Sequence, residues 1–89
     1  MYYVYFIKSE RNSKIYVGST SKDPHVRTQE HNQSSNVWTK HNKPFVLIYY
    51  ESYLHKEDAS LRENFYKTGF GKEIKSMIVN YILINKIKA

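Results

Sequence analysis

Cysteine is absent from all 89 residues, so neither a disulfide nor a thiolate metal site can hold this fold together. A chain of this length buries only about 60–65% of its unfolded surface, so one modest core has to suffice. The lack of cysteine fits a reducing compartment, and a cytoplasmic location is expected. No stretch approaches the roughly 18 consecutive apolar residues of a bilayer span, so no membrane association is expected. The first residues, MYYVYFIKSE, begin in a strand-like pattern without the basic and apolar regions of a secretory leader. Proline and glycine are scarce, at 2 and 3, and no repeat or low-complexity linker divides the chain, which points to one domain over residues 1–89. Acidic residues are also few: 8 stand against 14 lysines and arginines, a net charge of +6 that favours polyanionic partners. Many small domains are equally basic for solubility alone, so the charge supports a nucleic-acid partner without deciding for one.

What is present reads as alternating strands and helices. Tyr2 to Ile7 (YYVYFI) is aromatic and β-branched, and Ile15 to Val17 repeats the signal after the polar turn Glu10 to Lys14, which predicts a hairpin ended by Gly18. Asn12 is the turn residue best able to take a left-handed backbone. Asp23-Pro24 is a helix start, because the aspartate caps free N–H groups and proline lacks the donor it would leave unpaired; this helix should reach Asn32. Gln33 to Pro44 has little apolar periodicity and reads as a loop anchored by Val37 and Trp38. Phe45 to Tyr50 (FVLIYY) is a third strand, expected to be the most buried. Lys56 to Thr68 reads as a helix terminated by Gly69. Gly71 restarts the chain, and Ile74, Met77, Ile78, Tyr81 and Ile82 mark an amphipathic last helix from Lys72 to Leu83. That last helix is also the expected surface for any oligomer.

Two tyrosines, Tyr5 and Tyr16, should lie near each other across the hairpin, although nine tyrosines in the chain make simple packing an ordinary alternative. Arg27 and His31, four residues apart, share one helix face; a guanidinium and an imidazole there could meet one phosphate, or simply be solvated.

The segments Tyr3-Val4-Tyr5, Tyr16-Val17-Gly18-Ser19-Thr20 and Arg27-Thr28-Gln29-Glu30-His31-Asn32 together resemble the signature of the GIY-YIG nuclease superfamily. Phe45 to Glu51 followed by Ala59 to Lys72 is similar to the later part of its small stand-alone members, so the resemblance covers residues 2 to 75. Each motif is short, and their order and spacing carry the specificity. The resemblance implies an α+β fold, a small three-stranded antiparallel sheet flanked by helices in the order β-β-α-β-α-α. It also implies a metal-dependent endonuclease that hydrolyses phosphodiester bonds.

Carried over by position, Tyr5 matches the first-motif tyrosine and Tyr16 the second, which acts as base or orients the attacking water. An unperturbed phenol titrates near 10, so base catalysis by either needs help from neighbours. Arg27 would neutralise transition-state charge, and His31 would share a proton relay with tyrosine or hold the scissile phosphate. Glu63 matches the family's metal-binding glutamate, suited to one Mg²⁺ or Mn²⁺ ion that keeps its waters. Glu57 and Asp58 fit better as charges complementing a helix N-terminus. Gly18 would bring the backbone close beneath substrate, while Lys22, Lys40, Lys43, Lys67 and Lys72 are candidate backbone contacts. Trp38 either stacks on a base or anchors its loop. Tyr5 to Tyr16 and Tyr16 to Arg27 are slightly longer than the family's usual spacings. Ser19 and Thr20 stand where a lysine is common, with Lys22 the nearest replacement, and Asn80 is the nearest match to an asparagine near the metal. The expected partner is nucleic acid, DNA before RNA, with weak sequence specificity, recognition of branched or damaged structures, or a separate targeting protein. The alternative is a binding module with the same fold and no turnover.

Overall fold

The aromatic and β-branched run at the N-terminus forms β1 (Tyr2–Ser9), which pairs antiparallel with both β2 (Ile15–Thr20) and β3 (Phe45–Tyr53), giving the strand order β2-β1-β3. This computed structural model describes residues 1–88; Ala89, the end of the expected domain, lies outside them. The helices are α1 (Pro24–Gln33), α2 (Val37–Asn42), α3 (Lys56–Lys67) and α4 (Gly69–Lys88). The architecture is the expected α+β arrangement of a three-stranded antiparallel sheet with helices. None of the described helices is long and apolar enough to cross a membrane.

The central strand is β1, which corrects the expectation that the third strand would be the most buried. Val4, Tyr5, Phe6 and Ile7 are all buried, whereas β3 lies at an edge with Phe45 as its buried residue. Both runs are apolar and aromatic, and only pairing decides which one has neighbours on both sides. Because side chains alternate along a strand, Val4 and Phe6 enter one core with Ala59, Tyr66 and Val79 of α3 and α4. Tyr5 and Ile7 enter a second core with Phe45, Tyr16 and Leu47 on the opposite face.

Asp23 caps α1 as expected, accepting the His25 N–H at 2.7 Å. In the hairpin it is Ser13, not Asn12, that takes the left-handed backbone, with φ 63°. The Asn12 side chain is otherwise engaged, accepting from the Lys14 N–H at 3.0 Å and donating to Asn42 at 2.8 Å. The stretch expected to be a loop contains α2. Six residues are too few to display helical periodicity, but the Asn36 side chain caps the Thr39 N–H at 2.8 Å, and Trp38 stacks on Phe45 with centroids 5.5 Å apart.

The end of α3 also differs from expectation. Thr68 is its extended C-cap, and Gly69, with φ +48°, opens α4, which outruns Lys72–Leu83 at both ends. Gly71 is a point of close approach between helices: a Cβ there would lie 1.6 Å from the Phe65 carbonyl oxygen. Outside the core, Phe70, Met77, Tyr81 and Ile84 of α4 are exposed.

One polar knot ties β3 to α3. Glu51 accepts hydrogen bonds from the hydroxyls of Tyr49 (2.7 Å), Tyr53 (2.6 Å) and Tyr66, and from Arg62 Nε (3.1 Å). Burial alone would raise this carboxyl, but the three phenols and Arg62 outweigh it and hold Glu51 below the usual carboxylate range. In return, burial and then the carboxylate push Tyr49 and Tyr53 up to about 12. Its contribution to stability is therefore complete above the unfolded value and is lost as pH falls through the lower folded one. Glu51→Ala, which leaves four donors unpaired, is expected to cost about 3 kcal/mol in urea unfolding. Glu51→Gln should flatten the acid limb of stability against pH; an unchanged acid limb would show that Glu51 is not the group that titrates there.

Candidate active site

The antiparallel register places Tyr5 opposite Gly18 and Ile7 opposite Tyr16, so the two tyrosines are diagonal neighbours on one face of the sheet. The Tyr5 ring lies across Gly18, where a Cβ would come within 2.4 Å of the phenol oxygen. Glycine at 18 therefore makes room for Tyr5; the space expected to face substrate is taken by that ring.

From α1, His31 Nε2 lies 3.0 Å from the Tyr5 hydroxyl. Burial, followed by the Arg27 charge, pulls the His31 imidazole below its ordinary 6.5, so it is neutral near pH 7. With its proton on Nδ1, His31 accepts from the phenol. Burial raises the Tyr5 phenol above its ordinary value and Arg27 partly offsets this; the Glu63 and Glu30 charges act in the raising direction. One turn before His31, Arg27 donates to Glu30 at 3.2 Å, and Glu30 also holds Lys22 at 2.5 Å. The same helix is pinned to the sheet by Asn32, whose side chain accepts the Phe45 N–H at 2.7 Å and donates to the Phe45 carbonyl at 3.0 Å.

Tyr16 has a different partner. Its hydroxyl donates to Asn42 Oδ1 at 2.8 Å, and the same oxygen accepts from Asn12 while Asn42 Nδ2 donates to the Trp38 carbonyl at 2.7 Å. An amide oxygen accepts a hydrogen bond but is far too weak a base to take the proton. Tyr16 thus holds a fixed orientation and accepts no hydrogen bond among the described residues, whereas Tyr5 faces a group able to receive its proton.

Glu63, on α3, comes in from the other face of the sheet and meets Ser19 on β2. Ser19 Oγ donates to Glu63 Oε1 at 2.5 Å and Lys67 Nζ to Oε2 at 2.5 Å. Burial would raise this carboxyl, but Lys67 and Ser19 outweigh it and keep the group low and ionised. Ser19, standing where the family pattern has lysine, thereby helps to orient the carboxylate, and Lys67 supplies the ammonium. Among the described residues no set of three His, Cys, Asp or Glu side chains could cage a metal. An ionised carboxylate with one hydrogen bond on each oxygen fits an ion that keeps most of its waters and takes further ligands from substrate phosphate.

Tyr5, Tyr16, His31 and Lys67 border a cleft of about 370 Å³ at the β2 edge, whereas Arg27 and Glu63 are not among its lining residues. Tyr5, Tyr16, His31 and Trp38 form its aromatic wall, and Lys67, Lys72 and Lys75 its cationic rim. Lys75 was not among the expected contacts, although its spacing of three from Lys72 on a helix was a usable signal. Lys40 is exposed on α2 and Lys43 reaches the Ser34 carbonyl at 3.4 Å; neither borders the cleft. Asn80 borders a separate hollow with Lys14, Tyr16 and Lys75 that does not include Glu63. Glu57 and Asp58 occupy the first turn of α3, as expected. Asn42 was missed because nothing local marks it; its contact with Tyr16 spans 26 residues.

A small antiparallel sheet with paired tyrosines, a helix-borne arginine and histidine, and a lone carboxylate beside a cationic cleft defines a nuclease-type domain. The model of the GIY-YIG catalytic domain matches residues 1–76, and the chain belongs to the GIY-YIG family. It is also similar to UPF0213 protein SH2523 of Staphylococcus haemolyticus (strain JCSC1435), 34% identical over 79 residues, covering 88% of this chain and 93% of that protein. No solved structure matches it. Nucleases of the family act on nucleic acid and generally use divalent metal ions.

Proposed function

We propose that this protein is a metal-dependent endonuclease that hydrolyses phosphodiester bonds in DNA, acting with weak sequence specificity on particular strand structures or through a targeting partner. The observation that carries the reading is the Tyr5 hydroxyl held 3.0 Å from a proton acceptor, His31 Nε2, within reach of the Arg27 charge and beside a cleft rimmed by lysines.

In this reading water is held by Tyr5 and by the lone pairs of Tyr16. A standing Tyr5 phenolate is disfavoured by burial, so the proton moves in relay: water gives one to the Tyr5 oxygen as Tyr5 passes its own to His31 Nε2. A bond forms from water oxygen to phosphorus, the bond from phosphorus to the sugar oxygen breaks, and that oxygen takes a proton from solvent, leaving phosphate and hydroxyl ends. Arg27 turns from Glu30 toward the phosphoryl oxygens and offsets the charge that develops there. Glu63 would hold the divalent ion, with Ser19 keeping its carboxylate in place. That ion would supply positive charge at the leaving oxygen.

Labelled duplex, single-stranded and branched DNA, with matched RNA, incubated with Mg²⁺ or Mn²⁺ will test the proposal. Cutting is expected to require the ion and to fall about a hundredfold or more in Glu63→Gln. Binding without cutting under every ion would favour the non-catalytic module, and wild-type rates in Glu63→Gln would remove Glu63 from the metal site.

A further inference from the structure

The composition of the cleft is not that of a phosphate site alone. Its rim is cationic, through Lys67, Lys72 and Lys75, but beneath the rim lie Ile7, Ile15 and Val17, beside the rings of Tyr16 and Trp38. Lys67 is already paired with Glu63, and among the described residues Lys72 and Lys75 have no ion-pair partner, which leaves them for an incoming anion. A paired duplex would use only such a rim, because its bases are stacked inside the helix and cannot enter a recess behind the phosphates. An unpaired nucleotide offers both chemistries at once: a phosphate for the lysines and a flat apolar face for the aromatic wall.

Trp38 is built for that contact. It stacks on Phe45 with centroids 5.5 Å apart and an interplanar angle of 17°, yet remains 43% exposed. Tyr16 and His31 meet it edge-on at 4.9 and 6.0 Å. A ring held on three sides and open to the cleft is already ordered before a base arrives, so stacking on it costs little further entropy.

We propose that this cleft receives an unpaired nucleobase stacked on Trp38, with the adjoining phosphates on Lys72 and Lys75, so that the substrate is single-stranded or locally unpaired beside the cut. This names the substrate class for the nuclease reading above and rests on it.

Trp38 is the chain's single tryptophan, so its fluorescence reports the event directly. Without divalent ion, the wild-type protein is titrated with a single-stranded oligonucleotide, its duplex, and an abasic chain of equal length and charge. The single strand is expected to quench Trp38 and to bind about tenfold more tightly than the abasic chain. In anisotropy measurements, Trp38→Ala should lose that advantage while binding the abasic chain as the wild type does. Equal affinity and equal quenching by the abasic chain would overturn the inference, leaving the lysines as the whole of the site. The two readings fail separately. Single-strand preference with no cutting under any ion keeps the base site and removes the nuclease, whereas metal-dependent cutting of fully paired duplex with no preference for bases keeps the nuclease and removes the base site.

Discussion

Tyr5→Phe is expected to slow cleavage by about 10²–10⁴-fold, the range typical of losing a positioned proton-transfer group. The Tyr5 hydroxyl is 3.0 Å from His31 Nε2, so phenylalanine keeps the ring over Gly18 while removing the atom that passes the proton. His31→Ala should cost a similar factor, and the double variant no more than the worse single one, because the two groups act as a unit. The pH profile gives an independent check. Protonated His31 cannot accept, so activity should fall on the acid side, with a midpoint below the ordinary 6.5 because burial and Arg27 lower His31. Tyr16→Phe should be milder, since the Tyr16 proton points at an amide oxygen that cannot receive it. Rates that survive Tyr5→Phe but collapse in Tyr16→Phe would reverse the two roles.

Gly71→Ala should have the largest effect on stability, a loss of about 3 kcal/mol or more in urea unfolding. The added methyl carbon would sit 1.6 Å from the Phe65 carbonyl oxygen and 2.4 Å from its carbon. Those atoms belong to the backbone of α3 and cannot swing aside, so α4 would have to withdraw from α3. With it would go the core contacts of Ile74, Ile78 and Val79, and the placement of Lys72 and Lys75 on the cleft. Gly69→Ala provides the contrast. Nothing lies within 4 Å of a Cβ there, and only the positive φ of +48° opposes it, a cost of about 1–2 kcal/mol. A Gly71→Ala protein as stable as the wild type would mean that the two helices approach less closely than this.

The features readable in the chain itself were those whose causes lie within a few residues. The strands follow from Tyr2–Ile7, Ile15–Val17 and Phe45–Tyr50, and the start of α1 from Asp23-Pro24, because backbone sterics and capping act between near neighbours. The ordered tyrosine, arginine, histidine and glutamate motifs were legible for the same reason, and they carried the family and the sheet-and-helix architecture with them. Other features rest on contacts between residues far apart. Which of two apolar strands is central follows from pairing, and α2 is held by Trp38 against Phe45 as much as by its own six residues. Asn42 beneath Tyr16, Ser19 beside Glu63 and Phe65 against Gly71 are likewise invisible to local pattern, although the first two fix the orientation of candidate site groups. Residue type and spacing can therefore name the chemical groups, but the direction in which each proton points depends on partners 26 or 44 residues away, brought close only when the sheet and helices pack.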